Sequence, residues 1–222
     1  FAGLYAVFKL REMGLRFWAF EQGDDVGGTW YWNRYPGAGS DSESWVYSFS
    51  FSDELEQDWT WSSRFPRQPE ILRYLRHVAE RFGLRSCFQF NTRVQKAEYD
   101  ETDNLWIVET DSGELSRSRY LITAVGCLSA AQLPQITGRD TFKGNSYHTG
   151  RWPHEKVNFK GQKVGVIGTG SSGIQAIPVI AKEAAHLTVF QRTANYSVPA
   201  RNYDLSDDQA RSIKKEIKAI RE

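Results

Sequence analysis

Lys163 to Thr193 reads KVGVIGTGSSGIQAIPVIAKEAAHLTVFQRT. Val164, Val166 and Ile167 form a short β-branched run, which predicts a strand. Gly168, Gly170 and Gly173 follow in G-x-G-x-x-G spacing, with Thr169, Ser171 and Ser172 between them. Each glycine has its own reason. Gly168 permits a sharp turn out of the strand. Gly170 leaves the backbone open to a pyrophosphate. Gly173 lets a helix pack close to the strand. A helix is expected from about Ser171 to Ala184, with Pro178 removing one interior hydrogen bond. Its N-terminus would offer free N–H groups and a positive dipole end to phosphates. A second strand is expected over Leu187–Gln191, ending at Arg192 and Thr193. An acidic residue there would suit a free ribose 2′-hydroxyl. A cation suits a 2′-phosphate, so the reading favours NADPH. The plainer alternative is an ordinary βαβ unit with a solvated arginine.

The same pattern recurs at the start of the chain. Phe1–Leu15 has helical spacing with Gly14 as a C-cap, and Arg16–Phe20 is a short strand ending in Glu21. Gly3 and Glu21 are 18 positions apart, and Gly173 and Arg192 are 19 apart. Gly3 therefore reads as the last glycine of a first cradle, and acidic Glu21 suits an adenosine ribose without a 2′-phosphate. The alternative is a generic helix–strand pair. The chain begins without Met and stops at Glu222 inside a helical pattern, so the expectation is a piece of a longer protein.

The 222 residues carry 28 basic and 27 acidic side chains, which implies no strong field for nucleic acid or a membrane. No apolar run approaches the roughly 18 residues of a spanning helix, and no signal peptide is visible. Cys87 and Cys127 are too far apart in sequence for a local metal knuckle or redox pair. The expectation is a cytoplasmic monomer without a metal site.

Gly27–Asp41, GGTWYWNRYPGAGSD, reads as loop. Its aromatic density, including Trp30, Trp32 and Tyr35, fits either a wall for a flat ring system or a hydrophobic plug. Pro69–Gly83 is an amphipathic helix with Ile71, Leu72, Leu75, Val78, Ala79 and Phe82 on one face. His77 within it reads as a packing or surface residue. Arg93–Tyr99, Leu105–Thr110 and Glu114–Arg117 form an antiparallel meander. Arg119–Val125 reads as a buried strand ending at Gly126. Ser206 and Gln209 form a capping box, with Ala210, Ile213, Ile217 and Ile220 along one helix face.

Two stretches carry a family resemblance across the whole chain. GGTWYWNRYPGAGSDSES (27–44) resembles the flavin-contacting segment of type I Baeyer–Villiger monooxygenases. Phe142 to Pro153, FKGNSYHTGRWP, matches that family's F-x-G-x-x-x-H-x-x-x-W-P fingerprint. Flavin N-oxygenases share this pattern up to the histidine but lack the Trp-Pro ending.

The resemblance implies an α/β fold with two dinucleotide-binding, Rossmann-like domains of glutathione-reductase type. It implies an FAD-binding domain over 1–131, a linker over 132–160, an NADP-binding domain over 161–200 and the start of a helical insertion over 201–222. It implies FAD and NADPH as cofactors, a small-molecule ketone and O2 as substrates, and an ester or lactone as product by way of a flavin peroxide. Gly28, Thr29, Trp30, Trp32, Tyr35 and Gly126 then lie with the flavin. Asp41 matches the carboxylate that holds an active-site arginine, beyond this chain, against flavin and substrate. The residue-level alternative is a turn carboxylate capping its own backbone. Ser40 stands where the family commonly has Cys. His148 takes a role coupling the domains, or that of a plain linker anchor. A flavin N- or S-oxygenase remains the alternative activity. As an isolated piece, the chain is expected to be a non-catalytic nucleotide-binding module.

Overall fold

The computed structural model describes residues 1–221. Its α-helices and strands, in chain order, are α1 (Ala2–Glu12), β1 (Ala19–Phe20), α2 (Thr29–Trp32), α3 (Asp53–Asp58), α4 (Gln68–Arg81), β2 (Phe88–Gln89), β3 (Val94–Asp100), β4 (Leu105–Thr110), β5 (Leu115–Ser118), β6 (Lys163–Ile167), α5 (Ser171–Ala181), β7 (His186–Phe190) and α6 (Asp207–Arg221). The chain divides into two compact units, each built from two stretches. One comprises 1–32 and 72–130, the other 33–71 and 131–222. Glu222, the last residue of the expected start of a helical insertion over 201–222, lies outside the described residues.

In the first unit, α1 ends as Gly14 predicts. Gly14 takes a φ of +68°. Its N–H reaches Arg11 O and the Leu15 N–H reaches Leu10 O, both at 3.0 Å, so two terminal carbonyls are satisfied. Gly83, with φ +59°, closes α4 in the same way through Leu84 N–H to Ala79 O at 2.8 Å. The expected apolar face of α4 is buried at Leu72, Leu75, Val78 and Ala79. Phe8 and Phe82 meet edge to face at 5.1 Å, a favourable aromatic arrangement. β3, β4 and β5 form the expected antiparallel meander.

Three local expectations change. The first strand shortens to β1, which pairs in parallel with β2, a strand that the sequence reading did not anticipate. The aromatic loop contains one helical turn, α2, entered from Gly27 and Gly28 at φ +137° and +52°. Arg119–Val125 is not a strand, and Tyr120 and Val125 stand exposed. An apolar run of that kind suits a strand flanked on both sides, but among the described residues nothing forms a ladder with it.

In the second unit, β6 and β7 pair in parallel from Lys163↔His186 to Ile167↔Phe190. α5 connects them and ends at Ala181, three residues short of the expected limit, with Pro178 inside its last turns. Tyr35, Ala38, Phe159, Ala176 and Ile180 form the core beside this βαβ unit, with Trp152 packed against it. The capping box starts α6 as read: Ser206 N–H donates to Gln209 Oε1 at 2.9 Å, and Gln209 N–H to Ser206 Oγ at 3.3 Å. No helix among the described residues is long and apolar enough to cross a membrane.

Candidate functional site

The glycine turn after β6 has the geometry that each glycine was read to serve. Gly168 sits at φ +99°, a conformation that side-chain-bearing residues rarely take. A Cβ on Gly173 would lie 2.4 Å from the Gly168 carbonyl oxygen, so only glycine lets α5 start this close to the turn. A Cβ on Gly170 would meet nothing within 4 Å. Gly170 is the N-cap of α5, and no side chain caps the helix there. The helix thus opens with N–H donors directed at an open cradle, which fits a pyrophosphate.

The end of β7 is tied to this turn. Gly168 N–H donates to Phe190 O at 2.9 Å. The Thr169 hydroxyl oxygen accepts from Gln191 Nε2 at 2.8 Å and from Asn195 Nδ2 at 3.2 Å. Arg192 and Thr193 lie exposed between those two donors.

The GAG turn before Asp41 rests on α5. The Tyr35 hydroxyl donates to Gln175 Oε1 at 2.9 Å. Gly39 N–H reaches the same oxygen at 3.3 Å, and Gln175 Nε2 donates to Gly39 O at 3.1 Å. Gly37, at φ +80°, must be glycine twice over, because a Cβ would lie 2.4 Å from the Gln175 carbonyl oxygen. Tyr35 is buried, which raises its phenol pKa; the charge of Asp41 adds to this, and a hydrogen bond with Ser172 opposes it. Asp41 itself is exposed. The structure therefore brings Tyr35, Asp41 and Ser172 into one neighbourhood. Gln175, which organises that neighbourhood, was not among the residues singled out from sequence. A glutamine inside an apolar helix was its one visible signal.

The fingerprint resolves into separate jobs. The Phe142 ring lies over Gly144, where a Cβ would come within 2.7 Å of it. His148 caps a 3₁₀ turn over Thr149–Arg151, its Nδ1 accepting from Gly150 N–H at 3.1 Å. An accepting Nδ1 carries no proton. Trp152 stacks beside Tyr147 and Phe159, with centroids 5.4 and 6.2 Å away. The segment is pinned at Trp152, and no continuous helix joins His148 to Trp152.

In the first unit, Glu21 follows β1, and its Oε1 accepts from Gly23 N–H at 2.7 Å, which fixes the carboxylate at the strand end. A Cβ on Gly3 would lie 3.8 Å from the Ala124 Cβ, an ordinary contact, so α1 starts close to the segment that leads to Gly126. Gly28 and Gly126 both adopt positive φ with open space where a Cβ would sit. Trp30 and Tyr31 are buried, and the Tyr31 hydroxyl donates to Asp24 Oδ1 at 2.6 Å. Trp32 is half-buried, 4.8 Å edge-on from Tyr31, and Thr29 opens the same helical turn. Asp25, just before the aromatic segment, is buried and bonded to Arg76 Nε at 2.6 Å, to Arg85 and to Val26 N–H. Burial alone would raise its pKa, but the hydrogen bonds from Arg85, Arg76 and Val26 together hold it below the usual carboxylate range.

The family model for pyridine nucleotide-disulphide oxidoreductases matches residues 2–222. The chain belongs to that family. Within this oxidoreductase family it is 51% identical over 215 residues to the cyclohexanone 1,2-monooxygenase of Acinetobacter sp, covering 96% of this chain and 39% of the relative. It is 47% identical over 221 residues to the phenazine N-monooxygenase of Lysobacter antibioticus, covering 99% of this chain and 41% of that protein. The structure of a cyclohexanone monooxygenase from Rhodococcus sp. Phi1 bound to NADP+ superposes with a TM-score of 0.94 at 51% identity, covering 98% of this chain and 41% of that one. The chain thus spans about two fifths of the length of the curated relatives it matches. The resemblance to Baeyer–Villiger monooxygenases and the two-dinucleotide flavoprotein fold are borne out by these likenesses.

Proposed function

We propose that the whole protein to which this chain belongs is an FAD- and NADPH-dependent monooxygenase that inserts one oxygen atom of O2 beside a ketone carbonyl. The observation that carries this reading is the pairing of an open, glycine-built cradle at Gly168–Gly173 with the complete fingerprint ending at Trp152-Pro153. The chemistry supplied by bound FAD and NADPH is hydride delivery to the flavin and activation of oxygen.

The residues of this chain bind and orient. The cradle N–H groups, with Ser171 and Ser172, hold the NADPH pyrophosphate, and Arg192 and Thr193 select its 2′-phosphate. Gly3 and Glu21 hold the FAD phosphates and ribose, and Gly28, Thr29, Trp30, Trp32 and Gly126 line its path. Asp41 orients an arginine outside this chain, and an ionised carboxylate is suited to holding a guanidinium through paired hydrogen bonds. His148 anchors the linker and couples the FAD-binding part (1–131) to the NADP-binding part (161–200). The protein is read as a cytoplasmic monomer, with 201–222 opening a helical insertion.

The test supplies the whole protein with FAD, NADPH, oxygen and a panel of linear and cyclic ketones. Esters or lactones support the reading, and hydrogen peroxide alone across the panel overturns it. A second reading, N-oxygenation, is favoured by the likeness to the phenazine N-monooxygenase. N-oxide formation from heteroaromatic amines, with no ketone product, would establish it instead.

A further inference from the structure

Thr169 is the second residue of the glycine motif, and nothing in the motif requires a hydroxyl there. Yet its Oγ1 accepts two hydrogen bonds, from Gln191 Nε2 at 2.8 Å and Asn195 Nδ2 at 3.2 Å. Gln191 directly precedes Arg192, and Asn195 follows Thr193 by two positions. The two donors therefore grip both shoulders of the bend that carries Arg192 and Thr193. Outside the β6–β7 ladder, the backbone tie nearby is Gly168 N–H to Phe190 O. Beyond Gln191 the chain forms no strand, and the exposed side chain of Arg192 is not steered by any ion pair among the described residues.

We infer that Thr169, Gln191 and Asn195 form a clamp that sets the 2′-phosphate specificity of the cradle by positioning Arg192. This rests on the reading that Arg192 recognises that phosphate. A long, flexible side chain loses conformational freedom when it binds an anion, and a backbone held in place lowers that loss. Thr169 suits the task because one hydroxyl oxygen can accept two hydrogen bonds and still direct its own proton elsewhere. The clamp acts on the bend and leaves the pyrophosphate donors at the start of α5 untouched. It should therefore govern the 2′-phosphate and not the 5′-phosphate.

The experiment measures calorimetric binding of 2′,5′-ADP and 5′-AMP to the whole FAD-loaded protein. Thr169→Val removes the hydroxyl and keeps the shape. It should weaken 2′,5′-ADP binding about threefold to tenfold, the range for one or two neutral hydrogen bonds, and leave 5′-AMP within about twofold. Arg192→Ala tests the underlying reading separately and should weaken 2′,5′-ADP alone, by at least about tenfold. Adding Thr169→Val to Arg192→Ala should cause no further loss, because the clamp works only through the arginine. If Thr169→Val fails to fold, Asn195→Leu and Gln191→Met remove the two donors from the other side and should show the same selectivity. The clamp is refuted if the substitutions weaken both ligands equally or neither, or if their effect persists in full without Arg192. If Arg192→Ala leaves 2′,5′-ADP binding intact, the reading of Arg192 fails, and the clamp's role with it.

Discussion

Tyr35 donates its phenolic hydrogen to Oε1 of Gln175 across 2.9 Å, joining residues 140 positions apart. Gln175 also exchanges two hydrogen bonds with Gly39, so one side chain seats the whole Tyr35–Asp41 turn on the helix that starts at the glycine cradle. Gln175→Met keeps the bulk and removes all three hydrogen bonds. It should destabilise the protein by about 2–4 kcal/mol, since the buried Gly39 N–H and C=O lose this partner and the Tyr35 hydroxyl keeps only Ser172. Tyr35→Phe removes the bonds to Gln175 and Ser172, leaves the Gln175–Gly39 pair in place and should cost about 1–2 kcal/mol. Urea denaturation of the two variants checks the order.

Gly170 and Gly173 should separate stability from binding. Gly170→Ala has room and an ordinary φ of −68°, so the fold should lose at most about 1 kcal/mol. Its methyl would occupy the space read for the pyrophosphate, so NADPH affinity should fall by at least about tenfold. Gly173→Ala puts its methyl against the Gly168 carbonyl and should damage stability and NADPH binding together. Thermal melts and nucleotide titrations of both variants test the contrast.

Asp25 should make stability depend on pH in acid. Its folded pKa is depressed, so its contribution is complete above the ordinary carboxylate value of 3.8 and fades as pH falls through the lower folded value. Asp25→Asn should therefore be less stable than the parent at neutral pH, by about 2 kcal/mol given the half-exposed arginines. The gap should narrow only below about pH 4. Denaturation midpoints of parent and variant across that range give the comparison, and a gap that widens in acid would be inconsistent with the arginine contacts.

Local patterns were legible in the sequence because their causes lie within a few residues. The capping box at Ser206, the glycine stops at Gly14 and Gly83 and the turn at Gly168 all depend on near neighbours. The meander was legible for the same reason, since short turns set its pairing. The failures came where the partner is remote. β2 exists only because it pairs with β1, some 70 positions earlier. Arg119–Val125 has the composition of an interior strand, and composition alone cannot supply the neighbours that would make it one. Gln175 and the Thr169 clamp are likewise meetings of distant side chains, which no periodicity announces.

The central claim is that this cradle and fingerprint serve oxygen insertion beside a carbonyl, and isotopic labelling tests it most directly. The whole protein, loaded with FAD and given NADPH, a cyclic ketone and 18O2, should yield a lactone whose ring oxygen is heavy and whose carbonyl oxygen is not. A lactone without the label, or heavy hydrogen peroxide as the sole product, would contradict the account.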